Sequence, residues 1–122
     1  MSKKLMVVDD SRIVQIQLQK ILAGTDYEIV ACCQSGEDAL SMYDQVLPDL
    51  VTMDILMPGM DGLETARMIL KKHPQARILM VSSLAYDDTI NEATSIGAKG
   101  FVYKPFDKDQ LLKSLEQAFV ES

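Results

Sequence analysis

The chain has no tryptophan, three phenylalanines and four tyrosines, so aromatic packing contributes little and its eight methionines take over part of the core volume. Cysteine is nearly absent too: Cys32 and Cys33 are the only two, they are adjacent, and the single histidine is His73. Without a second cysteine pair or a histidine cluster at ligand spacing, no zinc site can assemble. A disulfide between the two neighbours is excluded as well, because consecutive strand side chains point to opposite faces; both read as reduced thiols in a strand. His73 follows Lys71 and Lys72 and precedes Pro74, the pattern of a solvated residue at a helix C-terminus, where the helix dipole favours it. Basic residues are in deficit, 12 against 18 acidic ones, and the net charge of −6 repels phosphate backbones, which argues against direct nucleic-acid binding. No apolar run approaches the length of a membrane span, and the start, Met-Ser-Lys-Lys, leads into too few core-type residues for a secretory leader, so the expectation is a cytoplasmic chain with no membrane contact. No repeat, linker or composition shift divides the 122 residues, and 1–122 reads as one domain.

What the sequence does have is alternation. Five short apolar runs, Leu5 to Asp9, Glu28 to Cys33, Leu50 to Asp54, Ile78 to Ser82 and Gly100 to Lys104, are each too short for a helix and alternate with five segments of helical period. Val14, Leu18, Ile21 and Leu22 make one helical stripe; Ala39, Tyr43, Val46 and Leu47 a second; Leu63, Ala66 and Leu70 a third. Ile90 and Ala93 begin a weaker fourth, and Leu111, Leu115, Ala118 and Phe119 a clear fifth. Ser35 opens the second helix, Gly97 suits a helix C-terminus, and Asp107 with Gln110 has the spacing of a capping box. Strand and helix in strict alternation imply a parallel sheet covered on both faces, since each right-handed crossover must pass over the sheet. The fold expected is α/β: a doubly wound (βα)5 parallel sheet in the flavodoxin-like order 2-1-3-4-5.

In such sheets ligands sit outside the carboxyl ends of the strands. Those ends carry Asp9 and Asp10, then Asp54, Ser82 and Lys104, and in the order 2-1-3-4-5 the four strands concerned are consecutive neighbours. Three carboxylates on one rim repel one another unless a cation or protons are present. Magnesium answers that need with one or two carboxylates, several waters and room for a phosphate. An aspartate can take a phosphoryl group when metal and basic groups neutralise its charge; Lys104 supplies a point charge and Ser82 a hydroxyl donor. Singly, each residue has an ordinary explanation: Asp10 or Ser11 as a cap on the first helix, Ser82 as a strand end, Lys104 as an exposed turn residue before Pro105. Their joint placement is the functional signal.

Four strings, Val-Val-Asp-Asp-Ser at 7–11, Asp-Ile-Leu-Met-Pro-Gly-Met-Asp-Gly at 54–62, Ser-Ser at 82–83 and Lys-Pro-Phe at 104–106, closely resemble the bacterial response-regulator receiver family of two-component systems. The resemblance runs from Lys4 to about Phe119. It implies Asp54 as phosphoacceptor, Asp10 as a direct Mg2+ ligand, Asp9 through water, and the backbone carbonyl of Leu56 as a further ligand. Ser82 and Lys104 would bind the phosphoryl oxygens, with a cis bond before Pro105. The family's switch matches Ser82 and Phe101 here; for Phe101 plain core packing is the competing reading, and without a hydroxyl it cannot hydrogen-bond in either state. The family's rate-tuning positions hold Leu56 and Leu84, both apolar and unable to orient an attacking water, so slow self-dephosphorylation is expected.

The implied role is a phosphorylation switch that receives its phosphoryl group from a sensor histidine kinase and changes its affinity for a downstream protein through the fourth helix, fifth strand and fifth helix. Beyond its own phosphorylation and dephosphorylation it is not an enzyme, and the unphosphorylated form is expected to be a monomer. A stand-alone chemotaxis-type regulator is the nearest resemblance, and a receiver cut from a longer regulator with a DNA-binding or enzymatic output domain is the alternative. A haloacid-dehalogenase-type phosphatase would want a second aspartate where Leu56 stands, and a flavodoxin would want a phosphate cradle where Asp9 and Asp10 would repel the ligand.

Overall fold

The computed structural model describes residues 2–84 and 86–120, so the ends of the expected domain, Met1 and 121–122, lie outside the described residues. The elements run β1 (Lys3–Val8), α1 (Arg12–Leu22), β2 (Tyr27–Cys33), α2 (Gly36–Val46), β3 (Leu50–Met53), α3 (Gly62–Lys72), β4 (Ile78–Ser82), α4 (Asp87–Ile96), β5 (Gly100–Tyr103) and α5 (Lys108–Val120). All neighbouring strands are parallel, in the order β2-β1-β3-β4-β5, as expected.

The two-residue period of the strands divides the core in two. Met6 and Val8 of β1, Val51 and Met53 of β3 and Met80 of β4 face one side and pack with Ala39 and Tyr43 of α2, Ala66 and Ile69 of α3 and Ala93 of α4. Leu5 and Val7, Leu50, and Leu79 and Val81 face the other side and meet Leu18 and Leu22 of α1 and Leu111, Leu115 and Ala118 of α5. β1 from Leu5 onward, β3 and β4 are therefore buried on both faces, which explains why these stretches are apolar at nearly every position. Each large side chain removed from water in this way stabilises the fold by about 1.5–3 kcal/mol.

Helix starts are set by side-chain caps. Ser11, Ser35 and Asp61 accept the N–H groups of Val14, Asp38 and Glu64, and Asp107 and Gln110 bond each other's backbone N–H reciprocally at 3.1 and 2.8 Å. Of the two residues that compete to cap α1, Ser11 does so and Asp10 stays exposed. Gly97 closes α4 in the left-handed conformation, at φ 106°.

Four expectations need correction. Three strand ladders stop a residue early, at Val8, Met53 and Tyr103, so Asp9, Asp54 and Lys104 stand just beyond the strands rather than in them. Leu47 is not in the α2 stripe: it is the C-cap, exposed, with φ 44°, because the chain must turn before Pro48. In α3, Leu63 and Ala66 are buried as expected, but Thr65 and Ile69 are buried with them and Leu70 is only half-buried. His73 is not simply solvated, since its ring lies 4.7 Å from that of Tyr43 and its Nε2 is 2.9 Å from Asp44 Oδ1. Cys32 and Cys33 are free thiols, one exposed and one buried.

Candidate functional site

The rim residues converge because each strand end is tied to its neighbour by the next bond of the ladder. The Asp9 N–H donates to the Cys33 carbonyl at 2.9 Å, the Asp54 N–H to the Val8 carbonyl at 2.9 Å, and the Lys104 N–H to the Ser82 carbonyl at 3.0 Å. Asp9, Asp10 and Asp54 thereby present carboxylate oxygens within 4.8 Å of one another, Asp9 and Asp54 buried and Asp10 exposed. Lys104 Nζ reaches into this group, 2.7 Å from Asp9 Oδ2 and 3.4 Å from Asp54 Oδ2. Its peptide bond to Pro105 is cis, as expected.

The loop after β3 is built to close tightly over Asp54. Asp54 Oδ1 accepts the N–H of Ile55 at 2.8 Å, and the Gly62 N–H returns to the Ile55 carbonyl at 2.8 Å, folding 55–62 back on itself. A Cβ at Gly62 would collide with the backbone carbonyl of Asp54, so the Asp61-Gly62 pair couples a helix cap to a close backbone approach. Gly59, at φ 77°, makes the turn in between.

One ammonium group does not balance three carboxylates. Burial, and next the charge of Asp9, push the Asp54 carboxyl up to about 6 from its ordinary 3.8, against the opposing pull of Lys104 and the Ile55 N–H. A hard cation with oxygen ligands would relieve this excess, and the donor set, two buried carboxylates and one exposed, leaves an open side for water or phosphate. The cluster can therefore hold a metal ion.

Ser82 is fully buried as the last residue of β4, and its Oγ accepts the Leu84 N–H at 3.1 Å, which leaves the hydroxyl proton for an acceptor. Leu84 is half-buried against the α2–α3 side of the core, whereas the Leu56 side chain is exposed. Phe101 does not join the carboxylates. It pairs in register with Met80, two residues below Ser82, and lies half-buried with its ring 5.3 Å from that of Tyr103. One residue escaped the sequence reading. Gln15 is buried in α1 and donates to the Asp9 carbonyl at 2.8 Å; the available signal was a polar residue in step with Leu18 and Leu22.

A doubly wound sheet with a carboxylate cluster and a lysine at its carboxyl rim defines a class of phosphate-handling switch. The family model for the response regulator receiver domain matches residues 5–116, and the chain belongs to that family. It is 41% identical over 115 residues to the chemotaxis protein CheY of Listeria monocytogenes, covering 94% of this chain and 97% of that one. To CheY of Bacillus subtilis it is 36% identical over 117 residues, covering 96% and 98%. Among solved structures, the CheX–CheY–BeF3–magnesium complex from Borrelia burgdorferi superposes with a TM-score of 0.94 at 31% identity, over 98% of this chain and 90% of that chain. The response regulator domain of Thermotoga maritima CheB gives 0.91 at 31% identity, over 100% and 99%. The chain is thus a CheY-like receiver of two-component signalling, a signal switch rather than a turnover enzyme. Among the described residues no helix is long and apolar enough to cross a membrane.

Proposed function

We propose that Asp54 is the phosphoacceptor of a single receiver domain spanning 1–122, and that the observation carrying this is the Lys104 ammonium set 3.4 Å from Asp54 Oδ2 inside a buried acid cluster. A carboxylate oxygen of Asp54 attacks the phosphorus of a phosphohistidine on a sensor kinase, the P–N bond breaks, and an acyl phosphate forms as the histidine nitrogen leaves. Asp10, Asp54 and the Leu56 carbonyl would hold Mg2+ directly and Asp9 would hold it through water, and the ion would supply charge neutralisation at the transferring group. Lys104 moves from its ion pairs with Asp9 and Asp54 to a phosphoryl oxygen, and Ser82 donates its hydroxyl proton to another.

That second donation is the switch. Drawing Ser82 toward the rim vacates space against which Phe101 turns inward, and the surface of α4, β5 and α5 changes with it. Tyr103 and Tyr86, both exposed at that face, are contact residues for a downstream protein. The apolar Leu56 and Leu84 leave the attacking water unoriented, so the acyl phosphate is slow to hydrolyse. The unphosphorylated chain is a cytoplasmic monomer. Similarity over nearly the full length of CheY relatives supports a stand-alone chemotaxis-type regulator; a receiver joined to an output domain is the alternative.

Incubation with acetyl phosphate and Mg2+ followed by intact-mass measurement tests the central claim. Wild type should gain one phosphoryl group and Asp54→Asn none. Equal labelling of both, or none of the wild type, would overturn it.

A further inference from the structure

α1 turns an apolar stripe to the sheet at Leu18 and Leu22, yet the position that continues this stripe toward the rim is Gln15, also buried. A buried primary amide is destabilising unless its N–H groups find acceptors. Those of Gln15 do: Nε2 donates to the Asp9 carbonyl at 2.8 Å and to the Cys33 carbonyl at 3.4 Å. The Cys33 carbonyl also accepts the Asp9 N–H at 2.9 Å, so Gln15, Asp9 and Cys33 close a ring of hydrogen bonds around the backbone of Asp9.

Asp9 is consequently held on every side. Its N–H and carbonyl belong to this ring, its Oδ1 accepts the Ser11 N–H at 2.9 Å, and its Oδ2 accepts Lys104 Nζ at 2.7 Å. Asp9 lies past the end of the β1 ladder, and it is Gln15 that supplies the donor to its carbonyl. Because the peptide unit is planar, fixing the Asp9 carbonyl also fixes the N–H and Cα of Asp10. Asp10 is exposed, so its backbone is what aims its carboxylate at the cluster.

We propose that Gln15 is a positioning residue for cation binding: its amide locks the peptide plane between Asp9 and Asp10, and with it the spacing of their carboxylates. The inference rests on reading the acid cluster as the Mg2+ site. Gln15 touches neither metal nor phosphate and acts only through the two aspartates, as hydrogen-bonded groups behind metal ligands do elsewhere.

Calorimetric titration of Mg2+ into the unphosphorylated full chain separates the possibilities. Gln15→Met keeps length and helix propensity but has no donor, and should bind Mg2+ about tenfold more weakly than wild type. Leu22→Val, a packing change at the far end of α1, should bind within about twofold of wild type although it lowers stability. In acetyl phosphate labelling, Gln15→Met should need more Mg2+ for half-maximal rate yet approach the wild-type rate at saturation. If Gln15→Met does not fold, Gln15→Asn, whose amide is one methylene too short to reach both carbonyls, carries the same expectation. Binding by the Gln15 variant within about twofold of wild type, or equal weakening by Leu22→Val, would overturn the role of Gln15 while leaving the metal site intact. Failure of wild type itself to take up Mg2+ would overturn the metal reading on which the inference stands.

Discussion

Two charge clusters in this molecule use the same groups to opposite ends. At the carboxyl rim three carboxylates cluster, two of them buried, Lys104 pairs with Asp9 and Asp54, and Asp54 is pushed up to about 6 by burial and by Asp9. Between α2 and α3, the single carboxylate of Asp44 has two partners, Lys72 at 2.6 Å and His73 at 2.9 Å, and is held below the ordinary carboxylate range by those hydrogen bonds, Lys72 first. The second cluster is at the surface and balanced, and it joins two helices. The first is buried and carries excess negative charge that only a proton, a cation or a change of partner can relieve. On the proposed reading, that imbalance is what a metal ion and a transferred phosphoryl group would relieve, whereas the Asp44 carboxylate already has its two partners.

The largest effect should come from deleting the unbalanced charge itself. Asp54→Asn is expected to abolish phosphoryl uptake in the mass assay and also to raise stability without metal, because it removes a buried carboxylate that faces Asp9. A melting temperature below wild type in chelator would break the comparison.

Next in size is the pH response of the metal-free protein. An acid whose folded pKa is raised binds its proton more tightly when folded, so its contribution is fully favourable below about 4 and is lost as pH climbs through about 6. With the carboxyl at about 6 instead of its ordinary 3.8, about 3 kcal/mol should disappear over that window, measurable by urea denaturation at fixed low salt. Asp54→Asn should flatten the profile. Mg2+ should restore stability at pH 7 and do less at pH 5, where protonation competes.

Gly62→Ala puts a methyl group into the Asp54 carbonyl and should destabilise by about 1–3 kcal/mol in the same denaturation assay, with slower labelling as the loop shifts. Smallest of all, Asp44→Asn should leave labelling unchanged and alter stability only slightly, with the difference fading at high salt. Its sign is opposite to that of Asp54: the depressed Asp44 contributes above the ordinary carboxylate pKa and loses its contribution as pH falls below it. A large loss of labelling in Asp44→Asn would mean that the two clusters are coupled.

Much of this was legible in the residues because it depends on local patterns. Apolar runs of five or six residues between helical stripes specify five strands and five helices. Ser35, Gly97 and the Asp107–Gln110 pair mark helix ends, since caps depend on residues three or four apart. The carboxyl-end positions of Asp9, Asp10, Asp54, Ser82 and Lys104 followed from the same periodicities and from the motifs around them. Less legible were Leu47, whose apolar character suggests burial although it caps a helix, and His73, whose partners Tyr43 and Asp44 lie on another helix. Gln15 escaped because a polar residue in an apolar stripe reads as a flaw until the carbonyls above it are known.

By itself the sequence determined the order of elements, the two-sided burial of the central strands, and which acids and which lysine would reach the rim, because these follow from periodicity and chain direction. Only the tertiary structure decided the balance among them: how close the carboxylates come, that Lys104 pairs more tightly with Asp9 than with Asp54, and that Gln15 braces the backbone behind them. Those quantities depend on distance and burial between residues as much as 95 positions apart, and electrostatic energy in a buried site is set by such distances rather than by composition.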